Sequence, residues 1–161
     1  MKIGEALKQL HEAERALAED FRTIGERHAR DIHDVFQTLA EQCERHAEEL
    51  RPQARRYGAD VREDGEPGAW QELFDMVRHR DYEVIGRNAE AGVRLLRDLR
   101  LLFLTAEDIR IRWVIVGEAA QAARDEELLD VTLRCHAETE TQAEWLVARI
   151  KLTAAQVLVA G

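Results

Sequence analysis

The chain has 161 residues, room for one ordinary domain with a single core. With 45% hydrophobic and 34% charged residues, two prolines and few aromatics, its profile is that of a helical protein rather than a sandwich or barrel. Its 23 basic residues stand against 32 acidic ones, a net charge of −9, which disfavours nucleic acid and anionic lipid as partners.

Met1 to Glu5 leads straight into charged helical pattern. No secretory signal or bilayer-spanning apolar run is read, and a cytoplasmic protein is expected. Ile3, Leu7, Leu10, Glu14, Leu17, Phe21, Ile24 and His28 follow at alternating spacings of four and three, the seam of a bundle helix. Loosely bounded by Gly4, Gly25 and the stretch 28–31, this first helix should hold roughly 28 residues and measure about 42 Å. The second, capped by Asp31 or a neighbour, runs its seam through Ile32, Phe36, Leu39, Cys43, His46, Leu50, Gln53 and Tyr57 until Gly58 closes it. Pro52 removes an amide and crowds the carbonyl of Glu48, which predicts a kink or a helix end near Leu50.

Residues 59–68 carry charges, two glycines and a proline and read as an exposed loop. Trp70, Leu73, Phe74 and Val77 then suggest a short helix within a crossover connection over 59–87. A link of that length can leave the second and third long helices parallel, whereas the other two links are tight enough for antiparallel hairpins. The third helix, about 88–123, has two apolar stripes. One runs through Leu99, Leu102, Ala106, Ile109, Trp113 and Val116, the other through Leu101, Leu104, Asp108, Ile111 and Ile115. One stripe faces the core; the other needs the crossover around Trp70 and Phe74, or a second subunit, to cover it, and a homodimer is the favoured reading. Asp125 or an adjacent acid opens the fourth helix, with a seam through Leu129, Leu133, His136, Glu140, Ala143, Val147 and Ile150. Residues 152–161 either extend it or fold over the bundle's end. Together these elements make residues 1–161 a single all-α domain.

Burying an ionisable group in an apolar seam costs several kcal/mol unless it is paired or bound to metal. Each helix places at least one there: Glu14, His46, Asp108, and His136 with Glu140. A histidine and a glutamate four apart on one helix face can share a cation, with carboxylates of neighbouring helices completing its shell. Asp108 has a second reading, since Thr105-Ala106-Glu107-Asp108 also fits a capping box restarting a helix. His46-Ala47-Glu48 recurs as His136-Ala137-Glu138, each with a leucine seven residues earlier, as two related hairpins would produce. Cys43 and Cys135, with no CxxC pair, read as buried thiols, and their spacing to the histidines argues against one shared zinc. His11, His28, His33 and His79 read as surface or end-of-bundle residues.

Four long helices in two hairpins, a long crossover, an acidic residue in the first helix and histidines in the second and fourth resemble the ferritin-like family of ferritins, bacterioferritins and rubrerythrins. The resemblance spans nearly the whole chain as architecture but few residues as motif. It implies a ferritin-like four-helix bundle of two antiparallel hairpins. Family members with a di-iron site carry Glu in the first and third helices and Glu-x-x-His in the second and fourth, and commonly oxidise iron or reduce peroxide or oxygen. Glu14 matches the first carboxylate and Asp108 stands in for the third-helix one. Cys43 lies three residues before His46 and Leu133 three before His136, so neither Glu-x-x-His motif is intact; Glu44, Glu49 and Glu140 are the nearest substitutes. The resulting expectation is iron or another transition metal held in the bundle core by Glu14, His46, Asp108, His136 and Glu140, for oxidation or sequestration. The alternative is a metal-free helical scaffold or dimerisation module whose seam polars form a hydrogen-bonded network.

Overall fold

Seams of period three to four fold as amphipathic helices, and the computed structural model, which describes residues 2–61 and 91–159, shows four of them. They are α1 (Lys2–Gly25), α2 (Arg30–Arg56), α3 (Ala91–Ala123) and α4 (Glu126–Val159). The short helix expected around Trp70 and Phe74, and most of the 59–87 connection, lie outside the described residues. Among the described residues no helix is long and apolar enough to cross a membrane.

Contacts between helices fix their directions. Gly4 of α1 lies against Tyr57 and Ala59 beyond the end of α2, and Gly25 lies against Phe36 near its start, so α1 and α2 form an antiparallel hairpin. Gly92 against Val157 and Gly117 against Thr132 show the same for α3 and α4. Glu14 meets Trp113 and His28 meets Asp98, which runs α3 against α1. Gln53 to Glu127 and Arg149 to Asp31 run α4 against α2. Each helix therefore packs on two antiparallel neighbours. The parallel pair expected from the long connection, α2 and α3, lies across the core on a diagonal.

The core is built from Leu7, Leu10, Leu17, Phe21, Ile32, Phe36, Leu50, Leu99, Leu102, Ile109, Trp113, Leu128 and Leu146, all fully buried or nearly so. Phe21, Phe36 and Trp145 form an aromatic chain, with ring centroids 5.3 and 6.0 Å apart. Small residues recur every seven positions in the first hairpin: Gly4, Ala18 and Gly25 are buried on α1, and Ala40, Ala47 and Ala54 on α2. This spacing lets the backbones approach closely. A Cβ on Gly4 would stand 2.6 Å from the Tyr57 carbonyl oxygen, a contact that backbone movement alone can relieve.

Several local expectations need correction. The first helix ends at Gly25, 24 residues long, leaving His28 in the turn. The second begins after Ala29 without a side-chain cap; Asp31 sits in its first turn and accepts from Arg149 at 3.3 Å. Of the two outcomes expected at Pro52, the helix end near Leu50 does not occur, since α2 passes Pro52 and continues to Arg56. Both Pro52 and Glu48 are exposed, so the carbonyl left without an amide lies on the solvent side, where water can satisfy it. Gly58, at φ +72°, closes α2 as expected. Helix α3 runs unbroken past Thr105, whose hydroxyl donates back to the Leu101 carbonyl at 3.0 Å, so no capping box restarts it. Asp125 does cap α4, accepting from the Leu128 amide at 3.1 Å.

The largest correction concerns the buried face of α4. It runs through Leu128, Val131, Thr132, Cys135, Thr139, Gln142, Ala143 and Leu146, one position away from the expected seam for most of its length. Leu133 is 60% exposed. The apolar stripe is not the buried one because the true face carries polar residues as well, and Thr132, Thr139 and Gln142 each have an internal partner. Thr132 and Thr139 donate back to the carbonyls of Leu128 and Cys135, both at 2.8 Å, and Gln142 donates to Gln42 at 2.6 Å.

Candidate functional site

Near the middle of the bundle all four helices contribute to one polar cluster. The α1 seam buries Glu14 completely, and the α2 seam buries His46 beside it. His46 Nδ1 lies 3.0 Å from Glu14 Oε1, and its Nε2 lies 2.8 Å from Glu138 Oε2 on α4. From α3 the Trp113 indole N–H donates to Glu14 Oε1 at 2.8 Å, its ring standing edge-on to the imidazole at 6.0 Å. Arg45 reaches Glu138 at 3.2 Å on the exposed side. The cluster thus runs from a sealed carboxylate, through an imidazole, to a carboxylate in contact with solvent.

An imidazole placed between two carboxylates donates to both only when protonated. Burial pulls the pKa of His46 down, but hydrogen bonds and charge from Glu14 and Glu138 outweigh it and hold the group above the ordinary histidine value. Burial pushes Glu138 up, and the combined pull of His46 and Arg45 brings it below the usual carboxylate range. The Cys43 thiol beside them is driven well up by burial and by the charge of Glu14, and Cys135 is raised by burial first and then by Glu49 and Glu14. Both cysteines are free and buried, and both are poor nucleophiles in this setting.

Of the five residues expected to bind metal, the fold brings Glu14 and His46 together. Asp108 lies on the outer side of α3, its side chain 40% exposed, and pairs with Arg112 at 2.7 Å. Its stripe is the one the core leaves out. The register of α4 turns His136 to a half-buried flank and Glu140 outward, where Glu140 lines an open groove with Phe103, Arg110 and Val147. The same register directs Glu138 to His46. Both nitrogens of His46 are engaged by carboxylates, leaving no lone pair for a cation while those bonds hold. Among the described residues no three His, Cys, Asp or Glu side chains stand where they could jointly hold a metal ion. As arranged, the residues do not fit the di-iron centre that the ferritin-like resemblance implies.

Three polar residues outside the expected set matter to the fold. Glu138 was visible in the echo of His46-Ala47-Glu48, though periodicity alone does not say what it meets. His11, expected at the surface or the end of the bundle, is 1% exposed with neither ring nitrogen hydrogen-bonded. It occupies the α1 place that Gly4, Ala18 and Gly25 fill at sevenfold spacing, and that period was its signal. Burial, with Arg15 and Arg51 nearby, lowers its pKa to about 4. His28, expected at the surface or the end of the bundle, has a side chain only 7% exposed and meets Asp98 at 2.9 Å, tying the α1–α2 turn to the start of α3.

No protein-family model matches the chain, and no curated protein is similar to it in sequence.

Proposed function

We propose that the chain is a ferritin-like bundle that works as a self-associating helical module, with a structural polar network in its core where a metal centre would stand. The carrying observation is the second stripe of α3. Leu104, Ile111 and Ile115 are 46, 47 and 57% exposed, on a helix whose opposite side already fills the core with Leu102, Ile109 and Trp113. An apolar row kept outside a finished core is the mark of an association surface.

The core network supports the same reading from the other side. Its hydrogen bonds satisfy both nitrogens of His46 from within the protein, and they join all four helices at one level, which fixes register as buried polar groups do in helical assemblies. The partner proposed is a second copy. Sedimentation velocity at roughly tens of micromolar should show a dimer for the wild type and a monomer for Ile111→Glu, with helical content unchanged. A wild-type chain that stays monomeric over that range overturns the proposal.

A further inference from the structure

We infer that the imidazolium of His46 is a latch between the two hairpins: when its proton leaves, α2 and α4 part along their shared edge, with the α1–α3 seam as the hinge and both hairpins still folded. The latch works within one copy and does not rest on the self-association proposed above. Of the neighbouring helix pairs, α2 and α4 approach each other least closely. Their edge is fastened by polar groups, among them Gln53 with Glu127, Arg45 with Glu138 and Arg134 with Glu49. Guanidinium–carboxylate pairs keep their charges from about pH 5 upward. The Tyr57 phenol and the Cys43 thiol, which also lie on this edge, are both raised above their ordinary values. Among the described residues of the edge, His46 is therefore the group that changes charge near neutral pH.

The two bonds of the ring differ in what they join. Nδ1 meets Glu14 inside the α1–α2 hairpin, whereas Nε2 meets Glu138 of the other hairpin. From α3 the ring meets Trp113, which does not titrate; Cys43 and Arg45 flank it on α2, and Cys135 on α4 feels the charges of both Glu14 and Glu138. A neutral imidazole keeps one N–H. Glu14 is fully buried and its Oε2 already has no partner, so the N–H that costs most to lose is the one on Nδ1. The Nε2 lone pair then faces Glu138 Oε2 at 2.8 Å, acceptor against acceptor. The side chain of Glu138 is 39% exposed and held by Arg45, so it can withdraw towards solvent. Proton loss thus cuts the bond that crosses the edge, and opening there lets water reach the unpartnered oxygen of Glu14.

The test is alkylation of Cys43, whose Sγ lies 3.6 Å from Gln142 Nε2 across the edge, by iodoacetamide on the full chain. Rates are measured from about pH 6 to about pH 9, each divided by the rate for the urea-unfolded chain at the same pH, which removes the thiol's own titration. The wild-type ratio should be level below about pH 6.5, rise by up to about tenfold per pH unit towards the folded pKa of His46, and level off above it. It should also be indifferent to urea well below the unfolding transition, as local openings are. In Glu138→Gln the side-chain amide can donate to the Nε2 lone pair, so the edge stays fastened without the proton and the ratio should stay low throughout. His46→Gln carries no charge and should give a high ratio already at the acid end; if that chain does not fold, Glu138→Gln decides alone. A wild-type ratio that does not rise, one that rises only through global unfolding, a Glu138→Gln chain that rises as the wild type does, or a folded His46→Gln chain as protected as the wild type at the acid end overturns the latch.

Discussion

His46 is held by carboxylates from two different hairpins, Glu14 on Nδ1 at 3.0 Å and Glu138 on Nε2 at 2.8 Å. Because Glu14 has no exposure at all, its charge depends on that imidazole and on the Trp113 N–H. Truncation by His46→Ala leaves a buried carboxylate without its cation and is expected to cost about 3–5 kcal/mol in urea unfolding. Replacing both members of the pair, as in Glu14→Leu with His46→Leu, should cost clearly less than the two single changes added together. Additive losses would show that the two side chains do not act as a pair.

The same pair sets a pH dependence on the alkaline side. The pKa of His46 is raised in the folded state, whereas in the unfolded chain it lies near 6.5. Its contribution to stability is therefore complete below about pH 6.5 and is lost as pH rises through the folded pKa. His46→Gln should flatten that limb of the stability profile above about pH 6.5. An unchanged limb in the variant would assign the dependence to other groups.

His11 acts in the opposite sense. Its folded pKa of about 4 means that the unfolded chain takes up a proton first as pH falls from about 6.5. Stability is lost through that window, by on the order of 3 kcal/mol when both states are protonated. His11→Leu removes a buried ring with two unpartnered nitrogens and should raise stability at pH 5 more than at pH 7. A loss at both pH values would mean that the site cannot accept the branched side chain.

Metal content separates the scaffold proposal from the expectation of a metal site. After growth with iron, manganese and zinc supplied, and purification without chelator, elemental analysis is expected to find well below one equivalent per chain. Melting temperature should also be insensitive to a chelator, because a ligand bound only by the folded state would raise it. Stoichiometric metal lost on His46→Ala would reverse the assignment.

The sequence pattern resolved the helices better than their faces. Leucine, isoleucine and phenylalanine at spacings of three and four located α1, α2 and the buried stripe of α3, and Gly58 and Asp125 marked two helix ends through local backbone chemistry. On α4 the pattern misled, since Thr132, Thr139 and Gln142 are buried with internal hydrogen bonds while Leu133 faces solvent. Asp108 looked like a core carboxylate because its neighbours Leu104 and Ile111 are apolar; Arg112, one turn later, was the sign of a surface pair. Which carboxylate meets His46 depends on how the hairpins are docked, and linear spacing carries no information about that.

The side on which α2 faces α4 is fastened chiefly by polar groups: Gln53 with Glu127, Arg56 with Asp125, Arg45 with Glu138, Arg134 with Glu49 and Arg149 with Asp31. These partners stand between 69 and 118 residues apart in the chain, whereas each hairpin is assembled from neighbours joined by a short turn. Each hairpin can therefore form on its own before the two are brought together, and the charged side is drawn together afterwards. Native-state hydrogen exchange would register this as two protected units that separate along one edge, with the edge loosening first as ionic strength rises.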